Sequence, residues 1–470
     1  RKRHNRTDTV STIEGQGPTP DASRQPRSDA GSGVERWYFD TLQTHVGAAP
    51  APGHGAHVTP IVASAGFAFD SVDHAASIFS MDHLGSFAYA RAGNPTNAVV
   101  EQRLAALERG AGAVLTASGQ AATVLALLAV VRSGDHVVAS SQIYGGTIGL
   151  LNERFGELGI SVTYVDEQND AEAWRRAARP ETRAFFAESI SNPLCTVLDT
   201  RLVADVAHEL GVPLIVDNTL ATPYLTRPLE HGADIVVHST TKFLAGHGAV
   251  IGGAIVDGAS FDFGREPEKW PALHVPSSPG EAGLWERFSP LRLAYVLRVR
   301  AILRDYGPAA SPFNAFLLQL GIETLSLRMR QHVANAREVV QFLCSHPAVA
   351  AVHYAELPDS PWRAAAASYL PNGAGSVFSF ELRGGLEAGK RFIAALRLFS
   401  HIANIGDVRS LAIQPASTTH SPLTESERMN VGIPAGLIRL SIGIEDARDL
   451  LADLSAALDA AHTDAIARDI

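Results

Sequence analysis

Two stretches decide how this chain folds: P-L-I-V-D-N at 213–218 and D-I-V-V-H-S-T-T-K at 234–242. Each is a short, almost uninterrupted apolar run that ends in polar residues. Runs of that length, apolar on both faces, predict strands covered from both sides, as in a parallel sheet. Working outward, similar runs recur at 113–118 (A-V-L-T-A-S), 136–140 (H-V-V-A-S), 162–166 (V-T-Y-V-D), 183–189 (R-A-F-F-A-E-S) and 250–256 (V-I-G-G-A-I-V). Helical stretches separate most of them. The alternation predicts an α/β fold with a mostly parallel sheet and helices on both faces.

On the N-terminal side a helix is expected to start at Asn94-Pro95-Thr96, with Val100, Leu104 and Leu107 along one face. Beyond residue 294 a long helical stretch from Pro312 to about Ser345 is expected, capped by Ser311. Strand-like F-S-F-E-L (378–382) and L-I-R-L-S-I (437–442) follow, and a final helix aligns Leu450, Leu451, Leu454 and Leu458. This region reads as a smaller C-terminal α/β domain. Residues 1–36, rich in Arg, Ser, Gly, Pro and Asp, read as a disordered tail, because they have too little apolar surface to offset ordering entropy.

The 470 residues carry a formal net charge of −10, with 46% hydrophobic and 19% charged residues. No basic stripe suits nucleic acid or an anionic membrane. The apolar stretch 121–131 is too short to span a bilayer. The two cysteines, Cys195 and Cys344, form no disulfide framework and no zinc ligand set, which predicts a reducing, cytoplasmic setting. Histidines such as His54, His57 and His247 stand in turn-like contexts without carboxylate or cysteine partners, so no metal is expected.

Chemistry gathers at the strand ends. Lys242 lies just past a strand's carboxyl edge, where open α/β sheets bind ligands, although a turn lysine at the surface would read the same. Asp217 ends the neighbouring strand and needs a partner if it is buried. A protonated pyridine nitrogen would supply one, while a helix-capping role is the plain alternative. Ser118-Gly119-Gln120 lies between a strand and a helix, where backbone N–H groups can hold a phosphate, and Ser239 and Thr241 flank Lys242 as further donors. Tyr144, in Y-G-G-T after another strand, can stack on a planar ring. Together these features ask for a phosphorylated aromatic aldehyde bound to lysine, which is pyridoxal 5′-phosphate (PLP) as a Schiff base on Lys242. The glycine spacings of dinucleotide and nucleoside-triphosphate loops are absent.

The motifs Y-A-R-A-G-N-P-T (89–96), S-G-Q-A-A (118–122), Y-G-G-T (144–147), S-N-P (191–193), V-D-N-T-L-A-T-P-Y (216–224), H-S-T-T-K-F-L-A-G-H-G (238–248), P-A-S-T-T-H (415–420) and R-L-S-I-G-I-E (439–445) occur in this order. From about Trp37 onward the chain resembles the Cys/Met-metabolism PLP-dependent enzymes of fold type I, most of all the O-acetylhomoserine sulfhydrylases. The resemblance implies Lys242 as Schiff-base lysine, Asp217 as partner of the ring nitrogen, Tyr144 stacked on the ring, and Ser118, Gly119, Gln120, Ser239 and Thr241 on the phosphate. It implies Asn192 near the cofactor's phenolic oxygen and Arg439 as clamp on the substrate α-carboxylate. Tyr89 and Arg91 are implied to reach the phosphate of a neighbouring subunit, in active dimers assembled into a homotetramer.

The domains expected on this basis are an arm at 37–93 serving the neighbouring subunit, a PLP-binding domain at 94–293 and a C-terminal domain at 294–470. The implied reaction joins O-acetyl-L-homoserine and sulfide into L-homocysteine and acetate, a step of methionine and cysteine biosynthesis. Cystathionine γ-synthase and O-succinylhomoserine sulfhydrylase are related alternatives, and a PLP-binding protein without turnover is a third. Methionine γ-lyase fits less well, since Gly146 stands where those enzymes tend to carry a cysteine. Gln414 replaces a histidine of the family pattern, and residues 272–286 depart from it, which leaves acyl-donor and nucleophile preference open.

Overall fold

The computed structural model describes residues 37–48, 55–276, 280–419, 421, 424–430 and 432–466. The expected tail at 1–36, His54 and His420 lie outside these residues.

Among the described residues two sheets form. The larger holds β1 (Gly112–Thr116), β2 (His136–Ser140), β3 (Ser161–Val165), β4 (Thr182–Glu188), β5 (Leu214–Asp217), β6 (Ile235–His238) and β7 (Gly253–Asp257), in the order β1-β7-β6-β5-β4-β2-β3. Strands β2 to β6 pair in parallel, while β7 runs antiparallel to both β1 and β6. All seven sequence runs are found, each within a few residues of its expected place.

Their unbroken hydrophobicity has a simple cause: successive side chains point to opposite faces, and both faces are covered. Phe186 and Ile215 join a core with Leu125 and Ala126 of helix Gly119–Leu128 and Val299 and Ile302 of helix Ala294–Tyr306. Their neighbours Phe185 and Val216 join the opposite core with Trp174, Val203 and Ala207. Each fully buried Val, Leu, Ile or Phe side chain among them contributes roughly 1.5–3 kcal/mol.

The smaller sheet contains β8 (Val349–His353), β9 (Val377–Leu382), β10 (Ser400–His401), β11 (Leu411–Ile413) and β12 (Leu437–Ser441), in the order β10-β11-β12-β9-β8. Sequence patterning anticipates β9 and β12. The other three are edge or very short strands without readable alternation. Helix Ala447–Ile466 buries Leu450, Leu454 and Leu458, and leaves Leu451 half-buried. A cut at 293/294 would assign helix Ala294–Tyr306 to the second region, yet its apolar face lies in the core of the first sheet. Phe39–Ile470 forms one unit.

Helix Pro95–Glu108 begins as expected, with the Asn94 side chain accepting from the Thr96 N–H at 2.9 Å. The expected helix 312–345 is instead two, Pro312–Glu323 and Leu325–Ser345, broken at Thr324. The break follows from packing. Gly321 lies so close to the chain after Lys242 that a Cβ there would stand 2.7 Å from the Leu244 carbonyl oxygen. The buried Arg328 guanidinium takes the Gly321 carbonyl at 2.7 Å. Ser311 holds the N-cap position but makes no side-chain capping bond, so Pro312 alone marks that start. No described helix is long and apolar enough to cross a membrane.

Candidate active site

β6 ends at His238, and the turn that follows carries Lys242 back over the sheet's carboxyl edge, with the Lys242 N–H on the Ser239 carbonyl at 3.2 Å. Arg328 pins the next residues by donating to the carbonyls of Phe243 at 2.7 Å and Leu244 at 3.3 Å. Lys242 Nζ donates to Asn404 Oδ1 at 2.6 Å. Burial lowers the lysine's pKa, and the charge of Arg439 lowers it further.

Asp217 ends β5 one strand away, and Glu188 ends β4 as its register partner. Asp217 Oδ1 accepts the Thr219 N–H at 2.9 Å. Burial raises the pKa of Asp217, opposed by the Thr219 hydrogen bonds and by His238. His238 Nε2 and Asn218 Nδ2 meet one oxygen of the buried Glu108, at 2.7 and 2.9 Å. The last residue of β6 and the residue directly after β5 are thereby tied to the end of helix Pro95–Glu108.

Ser118 caps helix Gly119–Leu128, its hydroxyl accepting from the Ala121 N–H at 3.1 Å. Gly119 lies against Ser239: a Cβ at 119 would stand 2.7 Å from the Cβ of Ser239. The two expected phosphate-holding segments are therefore in contact, and only glycine permits the approach. Thr241 Oγ1 exchanges hydrogen bonds with the backbone of Gly252, at 3.1 and 3.2 Å, which fixes the turn. Gln120 donates to the Gly146 carbonyl at 2.9 Å, tying this segment to the Tyr144 turn.

Tyr144 is 52% exposed, with its ring free to cover a planar group, and its backbone N–H donates to Glu188 Oε1 at 2.6 Å. Arg439, in the middle of β12, is 8% exposed. It donates to Asn192 Oδ1 at 3.4 Å and to the Asn404 carbonyl at 3.1 Å, while its Nε has no partner. Burial pulls its pKa down to about 10. Sequence reasoning missed Asn404 and Glu188. Glu188 was findable, since it ends a predicted strand just as Asp217 does; A-N-I-G-D around Asn404 gives no such signal.

Tyr89 and Arg91 stand apart from this cluster. Arg91 lies over the Tyr89 ring, 4.9 Å from its centroid, and donates to the Arg304 carbonyl at 2.8 Å. Gln414 is buried with its amide satisfied: Nε2 meets the carbonyls of Leu386 and Ala435 at 3.0 and 3.1 Å, and Oε1 accepts from Ser417 at 2.8 Å. The described part of 272–286 packs sideways, with Trp285 against Phe263, which stacks in turn on Tyr295. Both cysteines are free, Cys195 buried and Cys344 exposed.

Among the described residues no cation pairs with Asp217, and no carboxylate pairs with Lys242 or Arg439. Buried Arg439 and half-buried Asp217 and Lys242, each without an opposite charge among the described residues, call for a ligand that brings one. PLP fits: a lysine for its aldehyde, a carboxylate for its ring nitrogen, a tyrosine face for its ring and a helix start for its phosphate.

The sequence profile of the Cys/Met metabolism PLP-dependent enzymes matches residues 40–459. The chain belongs to that family. It is 46% identical over 428 residues to an O-acetyl-L-homoserine sulfhydrylase of Leptospira meyeri, covering 89% of this chain and 96% of the relative. It is 44% identical over 425 residues to the Corynebacterium glutamicum protein of the same name, covering 90% and 97%. Among solved structures, an O-acetylhomoserine (thiol)-lyase assignment from Campylobacter jejuni superposes with a TM-score of 0.85 at 36% identity, covering 90% of this chain and all of that one. That crystal structure contains N′-pyridoxyl-lysine-5′-monophosphate. A cystathionine γ-synthase from Xanthomonas oryzae pv. oryzae gives 0.78 at 34%, covering 91% and 99%. The mostly parallel seven-stranded sheet with its smaller partner sheet is thus the family's fold type I architecture.

Proposed function

We propose that this protein is a PLP-dependent O-acetylhomoserine sulfhydrylase that converts O-acetyl-L-homoserine and sulfide to L-homocysteine and acetate. The observation that carries the reading is the buried, carboxylate-free Arg439, linked through Asn404 to Lys242. The names of the most similar relatives support the choice of donor and nucleophile. Bound PLP supplies an electron sink for charge that develops on the substrate carbons. Lys242 holds the cofactor, with Asp217 at the ring nitrogen, Tyr144 on the ring face and Asn192 at the phenolic oxygen. Ser118, Gly119, Gln120, Ser239 and Thr241 hold the phosphate.

Arg439 clamps the α-carboxylate with its planar fork. Lys242, its pKa lowered by burial, moves a proton from Cα and then one from Cβ, and Asn404 keeps its amine beside those carbons. The Cγ–O bond breaks, acetate leaves with the electron pair, the sulfur of hydrosulfide forms the new Cγ–S bond, and the two protons return through Lys242 to Cβ and Cα. Tyr89 and Arg91 are assigned to a neighbouring subunit's phosphate, in a homotetramer of active dimers built with the 37–93 arm. The 94–293 region, with helix Ala294–Tyr306 packed on its sheet, serves as the cofactor-binding domain and the rest of 294–470 as the C-terminal domain, and the setting is the cytoplasm.

The test is turnover of O-acetylhomoserine with sulfide by the PLP-loaded protein, with Lys242→Ala as blank. O-succinylhomoserine, cysteine and methionine run in parallel. Homocysteine from the acetyl ester alone supports the reading, and preference for the succinyl ester or for cysteine as nucleophile overturns it. Light scattering that shows an active monomer would overturn the shared site.

A further inference from the structure

Glu188 is 3% exposed, and its two carboxylate oxygens differ sharply. Oε1 accepts the Tyr144 N–H at 2.6 Å, whereas Oε2 is buried without a partner. Directly across the β4–β5 pairing stands Asp217. Two carboxylates on adjacent strands, Glu188 buried and Asp217 half-buried, repel, so one of them keeps a proton.

Their surroundings decide which. On its far side Asp217 faces β6, where Val237 is its register partner and the next residue is His238, paired with Glu108. Asp217 also accepts from Thr219. Among the described residues Glu188 has a single donor, the Tyr144 N–H, and no cation. We propose that Glu188 is held as a neutral carboxylic acid that anchors the Tyr144 turn and leaves Asp217 as the one negative charge beneath the cofactor ring. Burial, and after it the neighbouring Asp217, push the Glu188 carboxyl in the same direction, well above the usual range, against the Tyr144 N–H.

The consequence is functional. Asp217 must stay ionised to hold a proton on the ring nitrogen, and a second buried anion would compete for that proton. Glu188 is thus a positioning residue: it fixes Tyr144 through the backbone and Asp217 through its own neutrality. This assignment rests on PLP binding with Asp217 at the ring nitrogen, not on the choice of acyl donor.

The experiment is infrared difference spectroscopy of the PLP-loaded protein at neutral pH, wild type minus Glu188→Gln. A carboxylic-acid C=O band present in wild type and lost in the variant is expected. Asp257, whose pKa is pushed up to about 7, appears in both proteins and cancels. A carboxylate band lost in its place would overturn the proposal. The second arm compares Glu188→Ala with Glu188→Gln by cofactor absorbance and kcat/KM. The alanine variant is expected to lose about 100-fold through misplacement of the ring contact, and glutamine to recover much of that loss. Equal losses in both variants, with PLP still bound, would overturn it as well. The infrared arm does not depend on turnover, so failure with O-acetylhomoserine leaves it readable.

Discussion

Asn404 joins the two cations of the site: its side-chain oxygen accepts from Lys242 Nζ at 2.6 Å, and its backbone carbonyl accepts from Arg439 at 3.1 Å. The residue proposed to move protons and the residue proposed to grip the substrate are therefore registered by one side chain and one peptide. Asn404→Ala is expected to lower kcat by about 10- to 100-fold, the scale of positioned acid–base catalysis, with a smaller change in KM. The α-deuterium isotope effect on kcat should rise in this variant as proton abstraction becomes limiting. An unchanged isotope effect with unchanged kcat would remove Asn404 from the mechanism.

Arg439 is buried and has no carboxylate among the described residues. A charge-assisted hydrogen-bonded pair with the substrate carboxylate contributes about 1.5–3 kcal/mol, so Arg439→Ala should reduce kcat/KM by roughly 10- to 150-fold. Arg439→Lys should recover little, because a point ammonium cannot reproduce a planar fork. Steady-state kinetics of both variants with O-acetylhomoserine checks this.

Gly146 leaves room for the Tyr144 ring: a Cβ on Gly146 would overlap it, lying 2.8 Å from the ring Cζ. Gly146→Cys or Gly146→Ala should therefore displace the ring that is proposed to stack on the cofactor. PLP titration by absorbance is expected to show weaker binding. The melting temperature of the cofactor-free protein should change little, since Tyr144 is half-exposed.

Asp257 ends β7 and is buried, with its carboxylate accepting the Ala259 N–H at 2.8 Å. Desolvation raises its pKa from 3.8 to about 7, with Asp234 adding and Ala259 and Arg292 opposing. The folded state thus holds this proton more tightly than the unfolded state does. Its contribution is fully present below pH 3.8 and is lost as the pH rises through about 7. Asp257→Asn removes the ionisation and should stabilise the protein by roughly 2–4 kcal/mol at pH 8, and by far less near pH 4. Denaturant melts at the two pH values test the difference.

Lys242, Asp217, Tyr144 and the Ser118-Gly119-Gln120 turn were legible because each is a local event. An apolar run ends, a polar residue follows, and a parallel sheet delivers all such ends to one edge. The same logic exposes Glu188, the last residue of β4. Tyr89 and Arg91 carry no such local signal, and within this chain they meet each other and Arg304 rather than Lys242.

The sequence alone determined the strand count of the large sheet, its mostly parallel sense and the side chains along its carboxyl edge. Periodicity and strand–turn–helix punctuation are written in neighbouring residues. The tertiary structure decided what completes the site. Lys242 meets Asn404 across 162 residues, and Arg439 meets Asn192 across 247. It also decided that the 312–345 helix breaks at Thr324, where Gly321 and Arg328 pack on the segment after Lys242. Contacts of that kind join residues far apart in the chain, and no local propensity encodes them.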